Sequence, residues 1–252
     1  MHAEQQAPVA PAFLLLIALA ASPLIVRGHE QPLHLYGEPG RPAVVLLSGD
    51  GGWIHVAPHL ATSLAASGYY VVGIDARAYL ESFTSGSGAL RVEDVRQDIA
   101  SMVAFAASRG APGRKPLLAG VSEGAGLAVI GAGSGAVREA VSGVLAVGLP
   151  SQIELGWRWR DAIIYLTHAA PNEPLVPTSA VVGAMSPTPL AVIHSLNDEY
   201  TPIADAASLV ARAGEPKKLW TVAAADHRFS DNLAGLDARV LDAVAWIGRG
   251  GR

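Results

Sequence analysis

No cysteine occurs anywhere in the 252 residues, which excludes a thiolate nucleophile, a cysteine-ligated zinc site and a disulfide framework. Charge is scarce: only 16% of residues are Asp, Glu, Lys or Arg, and the formal net charge is -4. A chain without a basic excess offers no stripe of cations to neutralise phosphates, which argues against nucleic acid as a partner. Long apolar runs are missing too. The most apolar stretch, 11–26, contains Ser22 and Pro23 and falls short of the roughly 20 residues that a bilayer core demands. No sequence period repeats, so solenoids and repeat arrays are not indicated.

What is present is apolar mass. Half of the residues are hydrophobic, enough to bury one sizeable core without a metal or a crosslink, so a single domain is expected and no cofactor is implied. Near the N-terminus, Ala12 to Ala21 form an apolar run followed by small residues and Pro23. The run resembles the hydrophobic region of a signal peptide with an Ala18-x-Ala20 cleavage pattern, although no Lys or Arg precedes it. It predicts export to the periplasm. Residues 1–26 are expected to be a signal peptide or N-terminal hydrophobic anchor, and the folded domain is expected over 34–252.

Beyond residue 34, short apolar runs alternate with longer amphipathic stretches, the pattern of a mostly parallel sheet with helices on both faces. Strands are predicted at 43–47, 69–74, 116–121, 144–147, 190–194 and 219–223. Helices are predicted at 56–66, 92–108, 123–131, 204–213 and 236–247, where apolar residues recur at three- and four-residue spacing. One stretch breaks this rhythm. Residues 151–187 separate two strands and hold Trp157 and Trp159, so they form either a cap over the rim of the sheet or extra core at its edge.

Gly120-Val121-Ser122-Glu123-Gly124 matches G-x-S-x-G and stands between a predicted strand and a predicted helix. A serine at such an elbow is lifted above the sheet, and the flanking glycines remove clashes at the tight turn. A serine hydroxyl is a poor nucleophile unless an imidazole takes its proton and a carboxylate holds that imidazole. In this fold class the chain order is serine, acid, histidine. Asp198 follows the 190–194 strand and His227 follows the last strand, so both reach the carboxyl-end rim where ligand-binding loops gather. Glu199 and Asp226 are the alternatives for the acid. Among other histidines, His55 and His59 lack the glutamate of an H-E-x-x-H pattern, and His194 lies inside an apolar strand and reads as a packed residue.

The loop Ser48-Gly49-Asp50-Gly51-Gly52-Trp53 follows the first predicted strand of the sheet, where such folds supply a second oxyanion donor. The donors are expected to be the backbone N–H groups of Glu123 and Asp50, with Gly51 the alternative to Asp50. Asp50, Trp53, Glu123, Trp157 and Trp159 are expected to contact substrate. The acidic pair Asp50 and Glu123 would draw an ammonium group toward the reaction centre and repel a carboxylate.

The S-G-D-G-G-W loop, the Gly120–Gly124 elbow and Ala225-Asp226-His227-Arg228-Phe229 together resemble the AcvB/VirJ family of bacterial virulence-associated proteins, over roughly residues 40–248. The resemblance implies an exported α/β-hydrolase with Ser122, Asp198 and His227 as its catalytic residues. It also implies hydrolysis of lysyl-phosphatidylglycerol in the periplasm, contact with the membrane surface, and a link to secretion-system proteins. The elbow departs from the family pattern at Glu123 and Gly126. A generic carboxylesterase or thioesterase, and a non-catalytic secretion-accessory protein on the same scaffold, are the competing expectations.

Overall fold

A computed structural model describes residues 22–84, 88–158 and 174–252. Strands β1 (Leu24–Val26), β2 (His29–Gln31), β3 (Leu33–Tyr36), β4 (Ala43–Leu47), β5 (Tyr70–Ile74), β6 (Leu117–Val121), β7 (Gly143–Val147), β8 (Gln152–Glu154), β9 (Leu175–Pro177), β10 (Leu190–Ser195) and β11 (Lys217–Val222) are interleaved with helices. The helices are α1 (Val56–Ala66), α2 (Ala76–Phe83), α3 (Val92–Ala107), α4 (Glu123–Ala132), α5 (Gly135–Ala140), α6 (Thr178–Val181), α7 (Ile203–Arg212) and α8 (Leu233–Gly248).

Seven strands form one sheet in the order β11-β10-β7-β6-β4-β5-β3. All neighbours are parallel except β3, which runs antiparallel to β5. Every residue of β4, β5, β6 and β7 is buried, as continuous apolar strands covered on both faces require. The pleat divides them between two cores. Val45 and Leu47 pack with Ile99, Met102 and Leu127 of α3 and α4, whereas Val44 and Leu46 pack with Leu60, Leu64, Val240 and Ile247 of α1 and α8. This is the α/β-hydrolase architecture the sequence predicts.

The folded body begins ahead of the expected boundary at residue 34. Leu24 and Val26 are buried, and Arg27 holds the buried Asp98 of α3 through Nε at 2.9 Å and Nη2 at 2.7 Å. The Tyr79 hydroxyl donates to the same carboxylate at 2.7 Å. Burial, and then the Asp98 charge, push the Tyr79 phenol upward. Residues 24–26 therefore pack with the body.

The 151–187 segment starts as core. Ile153, Leu155 and Trp157 are buried in the cluster that covers α4, and β8 pairs antiparallel with β9. Residues 1–21, with the signal-peptide expectation, and 159–173, with Trp159, lie outside the described residues. Among the described residues no helix is long and apolar enough to cross a membrane.

Candidate active site

Ser122 occupies the turn between β6 and α4 at φ 53° and ψ -121°, a left-handed conformation that costs a non-glycine residue about 1–3 kcal/mol. The surroundings enforce it. The Ser122 N–H donates to Val147 O at 2.8 Å. Its glycine neighbours admit no side chain, since a Cβ on Gly120 would stand 2.2 Å from Gly124 O and one on Gly124 would stand 2.2 Å from Ser48 O. The turn thus presses the elbow against the loop that follows β4. Glu123, at the first position of α4, has no intrahelical acceptor for its N–H, and that N–H adds to the positive end of the helix dipole.

The loop after β4 is braced on three sides: Ser48 N donates to Ile74 O at 3.0 Å, Gly52 N to Gly49 O at 3.0 Å, and Trp53 N to Asp75 Oδ2 at 3.1 Å. Asp50 and Gly51 form its tip. Both line a cavity of about 370 Å³ together with Ser122, Glu123 and His227. The elements expected to supply nucleophile, base and oxyanion donors therefore meet at one opening.

Of the candidate acids, Asp198 is the one whose side chain reaches the His227 ring. Its Oδ2 accepts from His227 Nδ1 at 2.6 Å, and its Oδ1 accepts from Tyr200 N at 3.0 Å and Thr201 N at 2.9 Å. Burial works against the charge of Asp198, but the His227 hydrogen bond and the Thr201 N–H outweigh it and hold the carboxyl below its ordinary value. Because Nδ1 faces a carboxylate it carries the proton of the neutral ring, which leaves Nε2 as the proton acceptor. The alternatives for the acid are employed elsewhere. Glu199 Oε2 accepts the His227 backbone N–H at 2.7 Å, and Asp226 caps the next turn through the Ser230 N–H at 3.0 Å.

The acid and histidine loops are stitched together: Asn197 Nδ2 donates to Ala224 O at 2.7 Å and Ser195 Oγ to the same oxygen at 3.2 Å. The His227 ring rests against Gly148, at φ 63°, where a Cβ would come within 2.7 Å of Cε1. Among the described residues the Ser122 hydroxyl makes no hydrogen bond to His227, although both line the cavity. Catalytic hydrogen bonds of this kind commonly tighten only in the reacting complex.

Three expectations about substrate contacts change. Trp53 does not line the cavity: it stacks on His34 with ring centroids 4.5 Å apart, donates from Nε1 to Tyr36 at 3.2 Å, and fills the space above Gly73, where a Cβ would stand 2.1 Å from the indole. Trp157 is buried in the core, with Arg77 over its ring at 3.8 Å. Glu123 lines the cavity as expected, but as a buried carboxyl and not as a solvated charge. Its Oε1 accepts from Glu154 N at 2.9 Å, and burial, then the charges of Glu154 and Asp50, push its carboxyl well above the ordinary value.

The cavity also takes Ile54, Gln152, Glu154, Glu199, Tyr200 and Arg228, none of which the sequence motifs single out as substrate contacts. His55, at φ 53°, lines it as well, whereas His59 is tied to Asp237 at 3.0 Å.

Comparison with known proteins agrees with the fold. A family model described as bacterial virulence protein (VirJ) matches residues 42–246. Among solved structures, Est1E from Butyrivibrio proteoclasticus is 13% identical with a TM-score of 0.63, covering 88% of this chain and 98% of its own. The α/β-hydrolase GrgF from Penicillium sp. sh18 is 17% identical with a TM-score of 0.60, covering 88% and 94%. A monoacylglycerol lipase from Paleococcus ferrophilus is 17% identical with a TM-score of 0.59, covering 87% and 99%. At these identities the likeness concerns the fold. No curated protein matches the sequence.

Proposed function

Because the chain belongs to the VirJ family of bacterial virulence proteins, we propose that it is a serine hydrolase of that family, cleaving carboxylic esters through an acyl-enzyme. The observation that carries this reading is the 2.6 Å hydrogen bond from His227 Nδ1 to the buried Asp198, which holds a histidine that lines the same cavity as the positive-φ Ser122. Ser122 Oγ attacks the ester carbonyl as His227 Nε2 takes its proton. The resulting oxyanion accepts hydrogen bonds from the N–H groups of Glu123 and Asp50. Collapse expels the alcohol, which receives the proton from His227. Water, deprotonated by the same nitrogen, then releases the acid and restores Ser122.

For substrate, we favour an ester whose acyl part bears an ammonium group. Among the described residues, Asp50, Glu154 and Glu199 line the cavity beside Glu123, whose carboxyl is pushed toward its neutral form, and Arg228 is the one Lys or Arg that lines it with them. An aminoacyl ester fits this balance, and lysyl-phosphatidylglycerol is the member of that class which the family resemblance implies. Such a lipid would be met at the membrane surface of the periplasm, which accords with the exported N-terminus read from the sequence. A role beside secretion-system proteins rests on the family alone.

Steady-state hydrolysis of matched lysyl, alanyl and fatty-acyl esters tests both layers. The proposal predicts activity that requires Ser122 and a kcat/KM for the lysyl ester at least about tenfold above the neutral ones, with the preference reduced in Asp50→Asn and Glu154→Gln. Equal rates on all three esters would rule out the cationic class and leave a generic carboxylesterase.

A further inference from the structure

The last two residues of β10 are His194 and Ser195, and His194 is fully buried on a strand whose preceding residues are Leu190, Ala191, Val192 and Ile193. An imidazole at such a position is costly unless its polar atoms are used. One of them is. Nε2 lies 2.7 Å from Thr201 O and 3.4 Å from Asp198 Oδ2. Both neighbours are acceptors, so Nε2 carries the proton and donates. The other ring nitrogen, Nδ1, is buried without a partner among the described residues.

A side chain chosen only to fill this space would carry no polar atom to strand. Leucine or phenylalanine would bury the same volume without the desolvation penalty of Nδ1. What the imidazole adds is a donor at one place, the end of the acid loop. That loop leaves β10, turns at Asp198, and returns so that Thr201 O lies over His194. The N–H groups of Tyr200 and Thr201 meanwhile hold Asp198 Oδ1. Oδ1 is thus fixed by the loop backbone, and Oδ2 stands between two imidazoles, His227 on the cavity side and His194 on the core side.

We propose that His194 is a positioning residue: its Nε2–H pins Thr201 O and Asp198 Oδ2 from the core side, fixing the carboxylate that orients His227. The proposal rests on the triad reading for its catalytic consequence, but not for its geometry. A carboxylate free to rotate would hold the Nδ1–H of His227 only part of the time, and misplacement by an ångström costs on the order of a hundredfold in rate.

The test pairs wild type with His194→Gln and His194→Asn. Both place an amide in the same pocket, but glutamine can present an N–H near the position of Nε2, whereas asparagine reaches only to that of Nδ1. The first readout needs no substrate: the proton-exchange rates of the ring N–H resonances by NMR. In wild type, His194 should show a slowly exchanging proton on Nε2, and His227 one on Nδ1. His194→Gln should keep the His227 proton protected, while His194→Asn should speed its exchange by at least about tenfold. The second readout is ester hydrolysis, in which His194→Asn should lower kcat by about ten- to a hundredfold with KM within about twofold, and His194→Gln should restore most of kcat.

Equal behaviour of the two variants, whether both keep or both lose the protected His227 proton, would overturn the proposal. So would a wild-type His194 that carries its proton on Nδ1, a result that needs no variant to fold. A wild-type protein that shows both protected protons yet hydrolyses no ester would instead contradict the proposed function and leave this inference standing.

Discussion

Asp198 and Glu123 both stand at the carboxyl rim of the sheet and both are withdrawn from water, with 6% and 5% of their surface exposed, yet their carboxyl groups are driven in opposite directions. Asp198 receives two backbone N–H groups and the His227 imidazole, and is held below its ordinary value. Glu123 receives one N–H, from Glu154, and has Glu154 and Asp50 for neighbours. Burial is common to both; the number of donors and the sign of the nearest charge decide the outcome. One cleft thus biases one carboxyl toward its ionised form beside His227 and the other toward its neutral form.

The largest blow to this contrast is Asp198→Asn, which preserves shape but removes the charge and the preferred tautomer of His227. It should lower kcat for ester hydrolysis by about ten-thousand-fold with little change in KM. Its effect on stability should follow pH. A depressed carboxylate contributes stability that is present above its ordinary value and lost as pH falls through the depressed one. Urea midpoints of wild type and variant should therefore differ most near neutrality and converge in acid.

Moving the elbow that carries Glu123 should come next. Gly124→Ala places a methyl 2.2 Å from Ser48 O, and backbone cannot yield as a side chain can, so a loss of about 3 kcal/mol is expected in urea unfolding. Glu123→Gln should act with the opposite sign. A group whose value is raised in the folded protein contributes stability that is lost as pH rises from its ordinary value toward the raised one. The amide should thus raise Tm above pH 7, with the gain disappearing toward pH 4. An unchanged Tm across that range would show that Glu123 is not held as described. The smallest effect belongs to the tryptophans outside the cavity: Trp53→Phe and Trp157→Phe should leave KM within about twofold of wild type.

Much of the scaffold was legible because a parallel sheet covered on both faces writes itself as unbroken apolar runs. The strand at 43–47 and the helix at 56–66 coincide with β4 and α1, and the other predicted strands and helices match within one to three residues at their ends. Short elements left no such trace. Strands β1 and β2 have three residues each, and α2 is an eight-residue helix started by Asp75, whose side chain accepts from Ala78 N. Motif and chain order picked out Ser122, Asp198 and His227, but separating Asp198 from Glu199 needed the backbone N–H groups that only the folded loop supplies.

Trp53 directly follows the loop after β4, which is why the sequence alone places it at the substrate. Gly73, in the middle of a strand, was the available sign that something large packs above it. The charge of Glu123 was equally beyond reach, since a residue's type does not reveal how many donors and which neighbours surround it. Glu154 and Glu199 enter the cavity from segments with no motif at all.

Intact-mass measurement after incubation with a fluorophosphonate probe tests the serine assignment most directly, because the probe reports an activated serine without requiring knowledge of the substrate. One adduct per chain is predicted for wild type, located on Ser122, slowed strongly by His227→Ala and abolished by Ser122→Ala. A wild-type protein that takes up no probe, or an adduct that persists in Ser122→Ala, would contradict it.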